Sequence, residues 1–284
     1  MKKVFLSCLI IFACNFLHAQ TITVDPRTAE PLKLQKKSIQ DTSKMRIQYR
    51  QVIIQDTTDT NQKTDNIMLL QIGNNISKYT DYYGLKADSL YDVYVKMGDD
   101  LSTIFTKIHP YIKGSSRENI FKDYPQGKIT STNLFGGSSY LYEEASVNID
   151  WKLESGNMTI AGYKCKKAST TLFGRKYTAW YTPDIPISNG PWKFSGLPGL
   201  ILKVEDSKKE VSFECIAIDK PHWKDPIYMN ESDYMKTNKK TFLKLYKQYK
   251  DNPGAVIQNS GMIQGDIPAK AFRKRAYNPI ELSE

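Results

Sequence analysis

The residues able to do chemistry are sparse in this chain of 284 residues, and their spacing decides little in favour of catalysis. Its three histidines, His18, His109 and His222, are isolated, with no pattern of acids around them. That supports neither a histidine-based metal site nor a Ser-His-Asp triad. Ser195 is not a nucleophile elbow, because position 193 is lysine where that turn needs glycine. Glu143 and Glu144 are adjacent, so a strand would send them to opposite faces. No glycine pattern opens a helix in the way a phosphate-binding loop does. A hydrolase could use Asp184, Glu205 or Asp206 only if the fold brought two of them together. The competing reading pairs these acids with Lys193 and Arg175 or leaves them in solvent. No catalytic residue, metal or cofactor is assigned, and the chain is read as a non-enzyme.

What stands out is Ser188–Asp206, SNGPWKFSGLPGLILKVED. Expected strands at Arg175–Tyr181 and Gly199–Val204 bracket a loop longer than a hairpin needs. Pro183, Pro186, Pro191 and Pro198 stiffen it. Leu197-Pro198-Gly199-Leu200 suits a type II turn, with proline setting the first central φ and glycine supplying the positive one. Gly196 lets another backbone come close. Trp192 and Phe194 could each bury roughly 150–250 Å² if they fold inward. The candidate loop is therefore Trp192, Lys193, Phe194, Gly196, Leu197, Pro198, Gly199 and Leu200. It is either a binding surface or a turn whose geometry demands these residues.

The elements around it read as mainly β. Met45–Gln55 and Asn66–Ile72 form a hairpin about a polar tip, and Ile76–Tyr79 continues it. Leu85–Met97 has helical spacing and stops at Gly98. From Asn119 to Lys220 strands follow at 119–124, 128–134, 139–145, 149–154, 162–172, 175–182, 199–206 and 210–219. Gly136-Gly137, Ser155-Gly156 and Gly174 mark turns. Short connections imply antiparallel neighbours. The expected fold is an α+β protein dominated by one large curved antiparallel sheet of half-barrel character, with a helix after the first strands. Asp233–Lys250 is a basic amphipathic helix striped by Phe242, Leu245 or Tyr246, and Tyr249. It either packs on the sheet or lies on a membrane or acidic partner. Cys165 and Cys215 fall in strands with their side chains on the apolar side, and a disulfide and two buried thiols both fit.

Lys2-Lys3, the apolar run from Val4 and Ala19 read as a signal peptide over 1–19. Ile11-Phe12-Ala13-Cys14 offers a lipoprotein alternative through Cys14. Residues 20–44 read as a flexible leader, and 45–284 as a single β-rich domain. No later segment is apolar enough to span a bilayer as a helix. The formal net charge of +10 either favours anionic partners, with export arguing against nucleic acid among them, or merely keeps the chain in solution.

The run GYKCKKAS…GRKYTAWYTPDIPISNGPWKFSGLPGLILKVED resembles the GLPGLI family of exported Bacteroidota proteins, named for residues that here are Gly196 to Ile201. Weaker similarity extends over LLQIGNNISKYTD and RAYNPIEL. The resemblance implies export to the periplasm or cell envelope and an unknown biochemical role. It also implies a gene neighbourhood of outer-membrane transporters, and hence one kind of partner. The expected function is a binding or carrier protein for an apolar or lipid ligand or a peptide. The alternative is a module that docks on an outer-membrane transporter.

Overall fold

The computed structural model describes residues 32–221, 224–260 and 267–283. The signal peptide, Cys14, the first part of the leader and His222 lie outside them. In chain order the elements are β1 (Lys37–Thr42), β2 (Met45–Ile54), β3 (Lys63–Ile72), β4 (Ser77–Asp81), α1 (Tyr82–Met97) and α2 (Leu101–Ile112). Next come β5 (Asn119–Lys122), β6 (Lys128–Phe135), β7 (Ser138–Ala145), β8 (Lys152–Ile160), β9 (Tyr163–Leu172) and β10 (Arg175–Thr182). They are followed by β11 (Leu200–Asp206), β12 (Val211–Asp219), β13 (Pro226–Asn230), β14 (Met235–Thr237), α3 (Lys239–Asp251) and α4 (Pro253–Asn259).

Twelve strands form one open sheet in the order β14-β7-β6-β5-β4-β3-β2-β12-β11-β10-β9-β8. Every pairing is antiparallel except β14 with β7. This is the mainly β architecture that the short connections imply. Alternation sets its inner face: Ile47, Tyr49 and Ile53 of β2, Met68 and Leu70 of β3, and Val211, Phe213 and Cys215 of β12 are buried together. Leu200, Ile201 and Leu202 open β11 buried on both faces.

Several local readings give way to the structure. The end of the expected leader pairs with β13 as strand β1, because residues Lys37–Thr42 find a free edge there. The turn expected at Ser155-Gly156 is instead a bulge inside β8, where the register with β9 shifts between Glu154 and Asn157 and Gly156 takes φ +142°. α2 is an element the sequence reading passes over. Its signals are the Asp100 cap and Ile104, Ile108 and Ile112 at four-residue spacing, all buried against α1. The basic helix starts at Lys239 rather than Asp233, capped by Asn238, because Met235–Thr237 adds to the sheet edge.

The long connection from β10 to β11 folds back into the hollow of the sheet and fills it. Trp192, Phe194, Leu197 and Leu200 are at most 2% exposed. Phe194 stands edge-on to Tyr177 at 5.0 Å and to Phe213 at 5.9 Å between ring centroids. Backbone groups of this plug are bonded from every side. Lys122 Nζ donates to Gly190 O at 2.7 Å, Trp151 Nε1 to Ser195 O at 2.8 Å, and Tyr49 Oη to Ile201 O at 2.7 Å. The expected type II turn does not form. The Gly199 N–H bonds to Leu197 O across Pro198, while the Leu200 N–H is drawn away to Ile185 O.

Gly199 has φ +147°, and a Cβ there would sit 2.1 Å from Thr182 O. Gly196 has φ +92°, but its nearest neighbour, Trp151 Nε1, would be 3.5 Å away. Gly199→Ala is therefore expected to lose more than about 3 kcal/mol of stability, because backbone must move. Gly196→Ala should lose only about 1–2 kcal/mol, for the left-handed conformation alone. Urea unfolding of both variants checks the difference, and equal losses would contradict the packing described.

Candidate functional site

The cysteines are buried and Asp206 is a structural acid, while Asp184 is exposed and Glu205 half-buried. Cys165 and Cys215 are buried free thiols, raised by burial to about 11 and about 12. Asp206 accepts from Arg175 Nη1 at 2.9 Å and from the Glu210 and Val211 amides. Asp206 is thus a buried brace for the β11–β12 turn and not half of a carboxylate pair. Among the described residues no group of three His, Cys, Asp or Glu is placed to hold a metal ion. No helix there is long and apolar enough to cross a membrane.

Of the eight loop candidates, only Trp192 borders the cavity; Lys193, Phe194, Leu197, Gly199 and Leu200 are buried outside its lining, and Gly196 and Pro198 are exposed. Its backbone is held at φ +49°, a conformation that a bulky residue adopts only when its surroundings impose it. Phe194 and Phe173 grip it, with ring centroids 5.4 and 5.9 Å away.

Three pieces build that cavity against the sheet. The first is α3, whose stripe of Phe242, Tyr246 and Tyr249 lies on Phe135, Tyr140 and Tyr142 of β6 and β7. The basic helix is thus seated on the sheet by its aromatic side. The second is the tail after the short 3-10 helix Ala269–Phe272. It is tied down by Arg275 N to Lys250 O (2.8 Å), Asn278 Nδ2 to Ile54 O (3.0 Å) and Leu282 N to Phe173 O (2.9 Å). The third is the α2–β5 segment 113–118. Together with β2, β3 and β6 they border a half-open cavity of about 510 Å³. That volume is within the usual range for small-molecule sites, about 300–1,000 Å³. Its wall mixes aromatic rings (Tyr142, Phe242, Tyr246, Tyr277) with amides and hydroxyls (Gln51, Thr64, Asn66, Asn133).

One side of the cavity carries a buried ionic cluster. Lys193, 1% exposed, is the motif's own lysine, and its ammonium pairs with Glu144 of β7 and Glu281 of the tail. Lys239 of α3 pairs with the same two carboxylates, at 3.0 Å from Glu144 Oε2. Burial works against the charge on Lys193, but Tyr142, Glu281 and Glu144 outweigh it and hold the amine above the ordinary lysine range. Glu118 joins them, and among the described residues it has no ion-pair partner. Burial, reinforced by Glu281 and Glu144 and opposed by Lys193, raises its carboxyl to about 7. It can therefore donate or accept a proton at neutral pH. Glu281 cannot act as its counterpart in hydrolysis, since Lys193 and Lys239 occupy it.

Known proteins add little to this geometry. Residues 173–203, which span β10, the plug and the start of β11, match the model of a family described as a protein of unknown function (Porph_ging). No curated protein matches the sequence. Two crystal forms of PNGF-II are similar to the chain at 13% and 14% identity, each with a TM-score of 0.49. In both, 74% of this chain is covered, but the chain spans only 34% of the other protein.

Glu118 makes a testable contribution to pH dependence. Its carboxyl titrates near 4.5 when unfolded and near 7 when folded. The folded state keeps a proton between those values that the unfolded state has lost, so stability falls as pH rises through that window. Glu118→Gln removes this cost. It is expected to stabilise the protein by about 2 kcal/mol at pH 8, allowing for partial exposure to the cavity, and by nothing at pH 4. Thermal or urea unfolding at the two pH values measures it.

Proposed function

We propose that the chain is an exported envelope protein of the GLPGLI type that binds a small ligand in the cavity between α3, the tail and the sheet. The observation that carries this reading is the cavity itself, about 510 Å³ walled by side chains of mixed character. The sheet's hollow, where a carrier of apolar cargo would be expected to hold it, is filled by the plug, with Phe194 fully buried. The ligand is therefore an amphipathic small molecule rather than a lipid chain. Export by the leader at 1–19 and an envelope location rest on the sequence pattern.

Docking on an outer-membrane transporter has weaker support. The exposed large apolar residues are spread over several elements, with Ile39 on β1, Tyr83, Val93 and Met97 on α1, Leu153 and Met158 on β8 and Ile216 on β12.

Mass spectrometry of protein purified under native conditions from the cells that make it tests the proposal. A bound small molecule should accompany the wild type and be missing from Asn133→Trp, which fills the cavity from β6. An empty wild type, or a ligand held equally by the filled variant, would overturn it.

A further inference from the structure

The cavity has a second charged wall, away from the ionic cluster in composition and in kind. Lys250, at the end of α3, and Arg275, in the tail, line it together. The Arg275 amide bonds to Lys250 O, which fixes the two residues side by side. Neither side chain has a carboxylate partner among the described residues. The Lys250 ammonium lies over the rings of Tyr246 at 5.2 Å and Tyr277 at 5.7 Å. The Arg275 guanidinium lies over Tyr249 at 5.4 Å and donates to its hydroxyl at 3.2 Å.

Among the described residues the four buried cations have hydrogen-bond or ion-pair partners of their own, whereas Lys250 and Arg275 are half-buried. Arg175 has Asp206 and Glu210, Lys193 has Glu144 and Glu281, and Lys78 and Lys122 donate to backbone carbonyls. At Lys250 burial lowers the amine to about 8, and the neighbouring Arg275 pushes in the same direction, as befits two cations without a counter-ion. The acids of the cavity do not cancel this wall: Glu281 is engaged by two lysines, and Glu118 is half-neutral. The α2–β5 segment brings two more cations, Lys113 and Arg117, to the lining.

We propose that Lys250 and Arg275 are an anion seat, and that the ligand of the cavity is a small organic anion presenting a carboxylate or phosphate group to them. Arginine's planar fork matches either group with two parallel hydrogen bonds, and lysine adds a point charge. The tyrosines beneath set both cations at a fixed height above the wall. The amides and hydroxyls of Gln51, Thr64, Asn66 and Asn133 suit a hydroxyl-bearing body attached to the anion. This inference rests on the cavity being a ligand site.

Titration calorimetry at constant ionic strength tests it, with glucuronate and inorganic phosphate as probes and glucose as the uncharged control. At least one anion should bind saturably while glucose does not, and the two anions separate carboxylate from phosphate recognition. Affinity should fall about tenfold or more in Lys250→Gln and in Arg275→Gln. It should be kept in Lys250→Arg, which also shows that the fold survives change at that position. Anions that bind no better than glucose, or that bind the glutamine variants as well as the wild type, would overturn the seat. A native ligand that co-purifies with Lys250→Gln and Arg275→Gln but not with Asn133→Trp would leave the cavity reading standing and remove the anion seat alone.

Discussion

One buried ammonium group, that of Lys193, sets the register of the parts around it. It belongs to the plug, yet its partners belong to the sheet (Glu144), to the tail (Glu281) and, through them, to α3 (Lys239). A charge at 1% exposure is tolerated only when its partners meet it in good geometry, because desolvation otherwise exceeds the Coulombic gain. The cluster is therefore demanding. If the plug shifts, Lys193 leaves its carboxylates. If the tail detaches, Glu281 leaves two lysines. The cavity exists because these pieces are held at fixed separations around it.

The plug solves a problem of architecture. A twelve-stranded open sheet with an apolar inner face must cover that face or aggregate. Among the described residues no second sheet does so, since the two-stranded sheet of β1 and β13 packs its Ile227 on Ile76 and Phe121 instead. The β10–β11 connection does, with Trp192, Phe194, Leu197 and Leu200 as its buried surface. Two of its glycines are explained by this duty, Gly199 because no side chain fits beside Thr182 O and Gly190 because a Cβ there would meet Ile201 at 2.8 Å. The same loop passes one ring, Trp192, to the cavity wall.

Much of the sheet was legible because period-two alternation survives in β2 and β12, where Ile47 and Tyr49, and Val211, Phe213 and Cys215, lie on the buried face as the pattern predicts. The bulge in β8 was not, because Ser-Gly reads equally as a turn, and only the pairing with β9 decides. The site was hardly legible at all. Glu118, Lys250 and Arg275 are far apart in sequence, and none belongs to a recognisable spacing. Their chemistry comes from burial and from missing partners, which a sequence does not display. The available hint was RAYNPIEL, an ordered tail where a frayed terminus would be usual. It supplies Arg275, Tyr277 and Glu281 to the cavity.

The most direct test of the account is the stability of Lys193→Met by urea unfolding. Removing the one cation shared by plug, sheet and tail leaves Glu144 and Glu281 short of charge beside Glu118, and the expected loss is about 3–5 kcal/mol. A loss under about 0.5 kcal/mol would mean that the cluster does not hold these elements together, and the account of the fold and of its cavity would be wrong.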